Sequence, residues 1–599
     1  NSDSYAGEKT TYIARNFRGY DYGSEKPNSD KFNAAMLPYG GQLTTSTINS
    51  VNYNMQHKLS ISRTFNDIHR LNAMLAVEIS SNVNKNNTNS VWGYVPERGE
   101  ILVKPTPPSD IKPIGMPDVT NWAAYESLFK GGWKNTTITN NSLSFFGTIA
   151  YSLLDRYVIN ANIRGDGSNR FGQDIRKRFD PTYSFGFSWR MAEEDFIKEN
   201  LSWLEQLNLR ATYGIQGYVV TSISPDLICK QSGVLTGYNE YAITISSIPN
   251  PHLKWERTRT WNFGLDMQLF KGISMVLEYY GRRSNTFMSE DVAEEYGMSS
   301  LRLNGGRIYN EGVEFSMNLT PFKRKDFVWT IGLNASKNWN KSQNDDVTVK
   351  VNKLTKNDFL NGSGQRPLKK GYPLRAFWSY SFAGLNPENG YPEFNLLDVE
   401  ETDPEIDPTT FLVYSGQSDP YFTGGFNTSV RYKSLQLSAY FSALIGAKKR
   451  LPNPYANFSS GKLPNPINNL SRDLTKRWQK PGDEQSTIIP ALYTSVDNIL
   501  NLETPDGNTA NSRYNMWAKS DAMVVNSSFL RCTSIALSWN MPREMCQKIR
   551  MTSFSVNATV SNPFVIANKR FNGFDPELSN DSSQSVMPKI FSLGLSVGF

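Results

Sequence analysis

The last nine residues, FSLGLSVGF, alternate strictly: Phe591, Leu593, Leu595, Val597 and Phe599 fall on one side of an extended chain, and Ser592, Gly594, Ser596 and Gly598 on the other. A helix cannot segregate the two sets. The bulky side suits lipid and the small side a crowded interior, whereas a soluble sandwich strand places polar side chains on its outer face. The same period recurs in hairpins. Phe263, Leu265, Met267 and Leu269 alternate, the chain turns at Phe270–Gly272, and Ile273, Met275, Leu277 and Tyr279 resume the pattern. Phe422–Tyr432 and Leu435–Ala443 do the same around Lys433–Ser434. Val313–Leu319 with Trp329–Ala335, Phe145–Tyr151 with Tyr157–Ile163, Met55–Ile61 with Leu71–Ile79, and Thr533–Trp539 with Phe554–Val560 complete the clear pairs.

Between hairpins the connections are long and polar: Asn82–Asn141, Gly217–Trp255, Lys341–Asp419, Gly446–Ser528 and residues 563–587. Short turns alternate with long loops, the pattern of a bacterial barrel whose turns face the periplasm and whose loops face outside. The expected fold is therefore all-β, a transmembrane antiparallel β-barrel with about sixteen wall strands spread over residues 1–599. Arg375–Gly384 and Tyr391–Asn395 read either as two further wall strands or as a hairpin standing in an outer loop. Ser555, Asn557 and Thr559, with Asp266 and Gln268, are polar where a soluble β-core would be apolar, as expected for a wide hydrated lumen.

Composition narrows the function. Aromatic residues make up 13% and charged residues 20% of 599, too aromatic for a disordered chain. A net charge of +7 without a long basic run argues against a nucleic-acid partner. Cys229, Cys532 and Cys546 form no CxxC, and three histidines leave little for metal or acid–base chemistry. The longest apolar run, Ala73–Val77, is far short of the roughly 18–20 residues of a membrane helix. The mean hydropathy of −0.48 decides nothing, because spanning strands escape such averages. Asn1 is followed by no signal peptide, so the chain reads as a mature product or a fragment.

Several segments resemble the SusC-like branch (SusC/RagA) of the TonB-dependent outer-membrane transporters. YVINANIRGDGSNRFG (Tyr157–Gly172) is similar to that family's strand and RxDGSSRFG loop, and FDPTYSFGFSWRMAEEDF (Phe179–Phe196) to its FPSxSxGWRxSEExF segment. LNLRATYGIQG, NPHLKWERTRTWNFGLDMQLF, IYNEGVEFSMNLTP and SDPYFTGGFNTSVRYKSLQLSAYF resemble successive barrel phrases of the family. So do SDAMVVNSSFLRCTSIALSWNMP and SNPFVIANKRFNGFDPE, and together these cover most of residues 143–599. The resemblance implies the C-terminal strands of a barrel of about 22 strands whose lumen holds a plug. The plug, TonB box and carboxypeptidase-like extension are not in this sequence, so plug and early strands are expected on another polypeptide or a further part of the same one. The function implied is energised uptake of oligosaccharides or oligopeptides, with a SusD-like surface lipoprotein as lid. TonB–ExbB–ExbD would act through the N-terminal part, in the outer membrane of a Bacteroidetes species, amid its lipid and LPS. A pair of transporter–lipoprotein units is the assembly the family suggests.

No catalytic or metal residue is expected. Trp92, Trp122, Trp133, Trp378, Tyr380 and Tyr455 are candidates to stack on sugar rings or peptide side chains; membrane-girdle or lid-interface packing is the alternative role. Phe591, Leu593, Leu595, Val597 and Phe599 resemble the C-terminal assembly signal of outer-membrane barrels. No cofactor is expected: calcium in a loop or on the partner lipoprotein is an option, but Glu400, Glu401, Asp403, Glu405 and Asp407 lack the spacing of a calcium loop. Arg164–Asp166 spells an adhesion tripeptide inside the family phrase, and Glu193, Glu194 and Asp195 read as charges opening a short helix. Without GxSxG, HExxH or a phosphate loop an enzyme is not expected. A passive porin-like channel is the competing reading.

Overall fold

The computed structural model describes residues 2–6, 19–21, 23–35, 37, 39–103, 132–169, 179–218, 227–235, 240–249, 254–291, 295, 300–344, 369–395, 412–455, 471–492, 513–578 and 587–599. In chain order the strands are β1 (Ser2–Ala6), β2 (Gly41–Phe65), β3 (His69–Val95), β4 (Ile101–Leu102), β5 (Lys134–Leu153), β6 (Tyr157–Ser168), β7 (Phe179–Arg190) and β8 (Leu204–Tyr218). There follow β9 (Ile228–Leu235), β10 (Glu240–Ser247), β11 (Glu256–Leu269), β12 (Ile273–Asp291), β13 (Ser300–Lys323) and β14 (Phe327–Ser342). Then come β15 (Ala376–Tyr380), β16 (Phe382–Leu385), β17 (Pro392–Phe394), β18 (Leu412–Gln417), β19 (Phe422–Tyr432), β20 (Leu435–Ile445) and β21 (Lys448–Arg450). The last four are β22 (Val524–Asn526), β23 (Phe529–Asn540), β24 (Ser553–Ala567) and β25 (Ile590–Gly598). Fifteen of these, among the described residues, have nine or more residues, and β1 pairs with one of them, in keeping with the expected sixteen. No helix is long and apolar enough to cross a membrane.

The strands fall into two compact units. One comprises Asn1–Leu59, Leu75–Phe146 and Gly165–Arg170. Here β1 lies antiparallel on β2, Ser2 opposite Ser46 and Ala6 opposite Gln42. Polar rungs tie β2 to β3: Thr44 and Ser90 hydroxyls at 2.9 Å, Ser50 Oγ donating to Asn84 Oδ1 at 2.5 Å, and Asn54 Nδ2 to Glu78 Oε1 at 3.0 Å. Ser80 and Ser142 hydroxyls join β3 to β5 at 2.6 Å. Gly93, at φ +91°, stands where a Cβ would strike the Val103 carbonyl, so the close approach of these backbones requires glycine.

The other unit comprises Ser60–Met74, Gly147–Arg164 and Phe171–Phe599. Its frame is an unbroken antiparallel series of eleven strands, β7, β8, β11, β12, β13, β14, β19, β20, β23, β24 and β25, each hydrogen-bonded to the next. Tight turns join the two strands of each hairpin. Asn66–Asp67, Leu154–Asp155 and Phe270–Lys271 each place two successive residues near φ +50°, the left-handed pair whose twist matches a two-residue hairpin. Leucine and phenylalanine are poor residues for that conformation; the strand ladders impose it. Phe270 gains by stacking on Trp203, centroids 5.3 Å apart.

The register sorts side chains by chemistry. Leu207, Met267, Met275, Met317, Leu333 and Phe426 stand in one lateral row across six strands, and Leu209, Leu265, Leu277, Phe315 and Ala335 in the next. On the opposite face Asn208, Asp266, Val276, Ser316 and Asn334 form the intervening row. Leu277, Leu333, Phe426, Leu437, Leu537 and Leu593 are all exposed, the apolar face being turned outward rather than into a core. An exposed sheet face of this extent is the mark of a surface solvated by lipid.

One expectation changes, and one open alternative is resolved. The two ends of the connection Asn82–Asn141 are strand, because β3 runs to Val95 and β5 begins at Lys134. Residues such as Asn82, Asn84, Asn86 and Thr88 hide this, since a ladder in water needs no apolar face to persist. Arg375–Gly384 and Tyr391–Asn395 are not wall strands: β15 pairs with β18 and β16 with β17, two small sheets apart from the eleven-strand series.

Replacing Leu277 by Arg on the apolar face is expected to cost on the order of 2–4 kcal/mol if the site lies at mid-bilayer. Ser316→Arg on the polar face is expected to cost less than about 1 kcal/mol. Equilibrium unfolding from lipid bilayers measures both; equal costs would deny the two faces their different solvents.

Candidate functional site

Three constellations on the eleven-strand unit carry chemistry. The first lies on the polar face. Arg210 of β8 reaches across β11, its Nε and Nη2 donating to Asp266 at 2.8 Å each and Nη2 to Glu278 Oε1 of β12 at 2.7 Å. Gly264 occupies the position between Arg210 and Glu278, and a Cβ there would sit 3.0 Å from the guanidinium carbon. Glycine thus leaves room for the guanidinium to lie flat along the sheet. Glu314 faces Glu278 directly from β13, and Ser316, Asn334, Ser336 and Thr423 join them in lining one hollow, together with the apolar Val276, Phe315 and Ala335. The constellation is a charge-paired polar patch, and no cluster of three metal-ligating side chains occurs among the described residues.

The second constellation is a packed module built from the long connections. Leu385, Tyr391, Tyr455, Leu474, Trp478, Tyr514, Trp517 and Met523 form one buried cluster, and Ala376, Trp378, Tyr380, Leu412 and Met516 another. Several of its ring polar atoms bond to backbone carbonyls. Tyr455 Oη donates to Pro490 O at 2.6 Å, Tyr514 Oη to Ala491 O at 2.6 Å, and Trp517 Nε1 to Ile488 O at 2.9 Å. Arg450 of β21 donates to Ser379 Oγ at 2.9 Å and to Trp378 O at 3.3 Å.

The module is fastened to the sheet by a buried ion pair. Arg531 of β23 donates through Nη2 to both Asp575 oxygens at 2.6 and 2.8 Å and through Nε to Glu577 at 3.0 Å, with Arg531 and Asp575 side chains nearly inaccessible. Lys449 adds a bond to the Pro576 carbonyl at 3.2 Å. Burial draws the Lys449 ammonium below its usual value, while Asp575 and Glu577 pull the other way. Arg570 donates to Ala522 O and Asn572 to Asp473, so the segment 569–577 touches several parts of the module.

The third sits at the short-turn end. Glu194 accepts from Tyr157 Oη at 2.6 Å, Trp189 Nε1 at 3.0 Å and Arg156 at 3.0 Å, joining a hairpin turn to the residues that open the short helix Asp195–Lys198. The hydrogen bonds from Tyr157 and Trp189, then the Arg156 charge, hold Glu194 below the usual carboxylate range. Stacked pairs Tyr157–Trp189, Trp203–Phe270 and Phe322–Trp329, with the edge-on pair Trp539–Phe554, mark the same ends of their strands. Amphipathic rings at that level match a membrane-interface belt.

The candidate aromatic residues scatter. Trp378, Tyr380 and Tyr455 are core residues of the module, Tyr380 only 1% exposed, so their rings are already taken up by protein contacts. Trp92 is buried in β3, and Trp122 lies outside the described residues. Trp133 alone among the described candidates presents its ring to solvent, at 68% exposure, just before β5. Phe591, Leu593, Leu595, Val597 and Phe599 stand on the apolar face of β25, Phe599 at 88% exposure. The acidic run at 400–407 is outside the described residues. Nothing in the sequence pattern links Arg531 to Asp575, although the two lie in the family-like phrases SFLRC and GFDPE.

Arg531→Met strands a buried carboxylate and is expected to cost about 3–5 kcal/mol. Denaturant unfolding in detergent, with protease sensitivity of 569–577 as the local readout, checks it; an unaltered midpoint contradicts it. For Glu194, whose pKa is lower in the folded chain, the stabilisation is complete above the ordinary carboxylate range and is lost as pH falls through the depressed value. An acid titration of folded-state stability should lose this step in Glu194→Gln, and persistence of the step would assign it elsewhere.

Comparison with known proteins agrees with this geometry. The family model described as "TonB dependent receptor-like, beta-barrel" matches residues 1–444. "TonB-dependent receptor P3" of Formosa agariphila is 26% identical over 493 residues, 78% of this chain and 45% of that protein. "TonB-dependent receptor SusC" of Bacteroides thetaiotaomicron is 28% identical over 481 residues, 77% of this chain and 44% of that one. The chain thus spans about half the length of these relatives. Among solved structures the RagAB peptide transporter superposes at a TM-score of 0.70 with 20% identity, over 94% of this chain and 58% of that one, which speaks to the fold. Two-faced strands, tight turns and an interface belt meet the family match over most of the chain: it belongs to the TonB-dependent receptor-like β-barrels, in the SusC-like branch, and resides in the bacterial outer membrane.

Proposed function

We propose that this chain is wall and loop module of a TonB-dependent importer that takes up oligosaccharides or oligopeptides, substrates too large for passive diffusion. The observation that carries the reading is the pairing of a lipid-suited sheet with an elaborate packed module on its connections, in a chain of the SusC-like branch. A passive pore has little need of such a module, whereas capture and gated release need a rigid outer surface. The neighbour described as a peptide transporter favours the peptide class. In this proposal a SusD-like lipoprotein closes the outer mouth and a plug segment occupies the lumen. TonB–ExbB–ExbD supplies the pull. Two transporter–lipoprotein units pair, lipid and LPS surround the wall, and neither cofactor nor nucleic acid takes part. The polar face around Arg210, Asp266 and Glu278 would line the hydrated side, and Trp133 is the described aromatic with a ring open to ligand.

Native extraction from outer membranes in mild detergent, followed by mass spectrometry and an uptake assay, tests the reading. It expects a surface lipoprotein and a plug-bearing segment near one-to-one with this chain, and uptake that stops when TonB is deleted while ligand binding persists. Recovery of these residues alone as a stable ion-conducting barrel would replace the importer by a porin-like channel.

A further inference from the structure

The apolar face of β11, β12 and β13 changes character toward the long-connection end of the strands. Between Phe270 and Trp261 the chain climbs about 23 Å, at about 3.4 Å per residue and a tilt of about 40°, close to the height of a barrel's apolar band. At that level the lateral row is largely aromatic, with Tyr213, Trp261 and Trp339 beside Gly281 and Glu311. The next row outward is Ile215, Arg259, Arg283, Tyr309 and Lys341, and the one beyond it sets Arg257 and Arg307 on either side of Asn285. These cations share the alternation of Phe263, Leu277 and Val313, so they stand on the lipid-suited face rather than the hydrated one. All four arginines and Lys341 are exposed.

The cluster demands an anion. Arg259 and Arg283 are directly opposed across β11 and β12, an arrangement that costs stability unless negative charge lies between them. A single arginine at a membrane end reaches water and needs no such partner. Glu311 is the one carboxylate among the described residues of these rows, and it stands in the aromatic row. The Arg283 guanidinium lies 5.2 Å from the Trp261 ring centre and 5.0 Å from that of Tyr309, which fixes where it sits. Trp261 in turn lies across Gly281, where a Cβ would strike the indole.

On the turn side of the rings the same face is hollowed. Phe187, Ala211, Phe263, Leu265, Leu277 and Tyr279 line a hollow of about 520 Å³. Its small residue is Ala211, which the register sets between Phe187 and Phe263. Arg210 and Glu278 also border it, but their charged ends pair on the opposite face. Cations, rings and apolar hollow thus follow one another along a few strands, in the order in which an anionic lipid presents headgroup, interface and acyl chain. We propose that this column binds a phosphorylated glycolipid of the outer leaflet, LPS: Arg259 and Arg283 share a phosphate, Arg257, Arg307 and Lys341 surround it, and an acyl chain lies in the hollow over Ala211. Guanidinium forks match phosphate oxygens, and an anion between two opposed guanidinium groups replaces their repulsion by attraction. The proposal rests on the placing of LPS against this wall in the reading above and is independent of import.

The test uses the full-length protein, washed free of lipid in neutral detergent. It is titrated with LPS, with the same LPS after enzymatic removal of its phosphates, and with inorganic phosphate, and native mass spectrometry counts the bound species. LPS binding is expected to weaken at least about tenfold on dephosphorylation, and equally in Arg259→Gln with Arg283→Gln. Arg543→Gln with Lys548→Gln, in the short helix Arg543–Lys548 at the turn end, is expected to leave it unchanged. Ala211→Phe, which fills the hollow and spares every arginine, is expected to weaken it as well. If the double arginine variant fails to assemble, each single substitution repeats the measurement. Equal binding of both forms of LPS, or indifference to the arginines, would overturn the proposal. So would inorganic phosphate held as tightly as LPS, the mark of an adventitious ion only, or a surface lipoprotein found covering these arginines in place of lipid. A protein that binds LPS as expected yet imports nothing would overturn the import reading and leave this one standing.

Discussion

Inside a bilayer a peptide group has no water to bond, and an unpaired amide or carbonyl there costs several kcal/mol. The inter-strand ladder is therefore the interaction on which the rest of this molecule depends. It explains why eleven strands follow one another without an unpaired member between them, and why turns at Leu154–Asp155 and Phe270–Lys271 accept left-handed bulky residues rather than loosen the register. Once the ladder is fixed, side chains have only two directions. The register then stacks Leu207, Met267, Met275, Met317 and Leu333 on one face and leaves Arg210, Asp266 and Glu278 to satisfy one another on the opposite face.

What the ladder does not determine is built with different forces. The module on the long connections is an ordinary water-soluble core, in which Trp517, Tyr514 and Tyr455 bury their rings and give their polar hydrogens to backbone carbonyls. Its junction with the sheet is electrostatic: Arg531 donates through Nη2 to Asp575 and through Nε to Glu577 from the end of β23. A charge buried so fully tolerates only one arrangement of the segment that neutralises it, which gives the module a defined seat. At the other end of the strands Glu194 plays the corresponding part, collecting Tyr157, Trp189 and Arg156 into one knot.

The strands were legible because alternation is a direct consequence of lipid on one side and water on the other. Phe263–Leu269 and Ile273–Tyr279 could be paired residue by residue from sequence, and the structure pairs Leu269 with Ile273 and Leu265 with Leu277. Where both faces meet water that signal vanishes, so the outer parts of β3 and β5 read as loop although their ladders continue. An aromatic residue in a loop has the same sequence signature whether it stacks on a sugar or fills a core, so the burial of Trp378, Tyr380 and Tyr455 in the module is not legible from sequence. The Arg531–Asp575 pair was hidden by a separation of 44 residues, which no periodicity can bridge.

The central claim, that one face of this sheet is solvated by lipid and the other by water, is tested most directly along β12. Nitroxide labels placed singly from Ile273 to Tyr280 in membrane-embedded protein would be read for collision with oxygen, which concentrates in lipid, and with a water-soluble nickel chelate. The account predicts two opposed oscillations of period two, oxygen peaking at Ile273, Met275, Leu277 and Tyr279 and the chelate at Ser274, Val276, Glu278 and Tyr280. Oscillations in the reverse phase, or none at all, would contradict it.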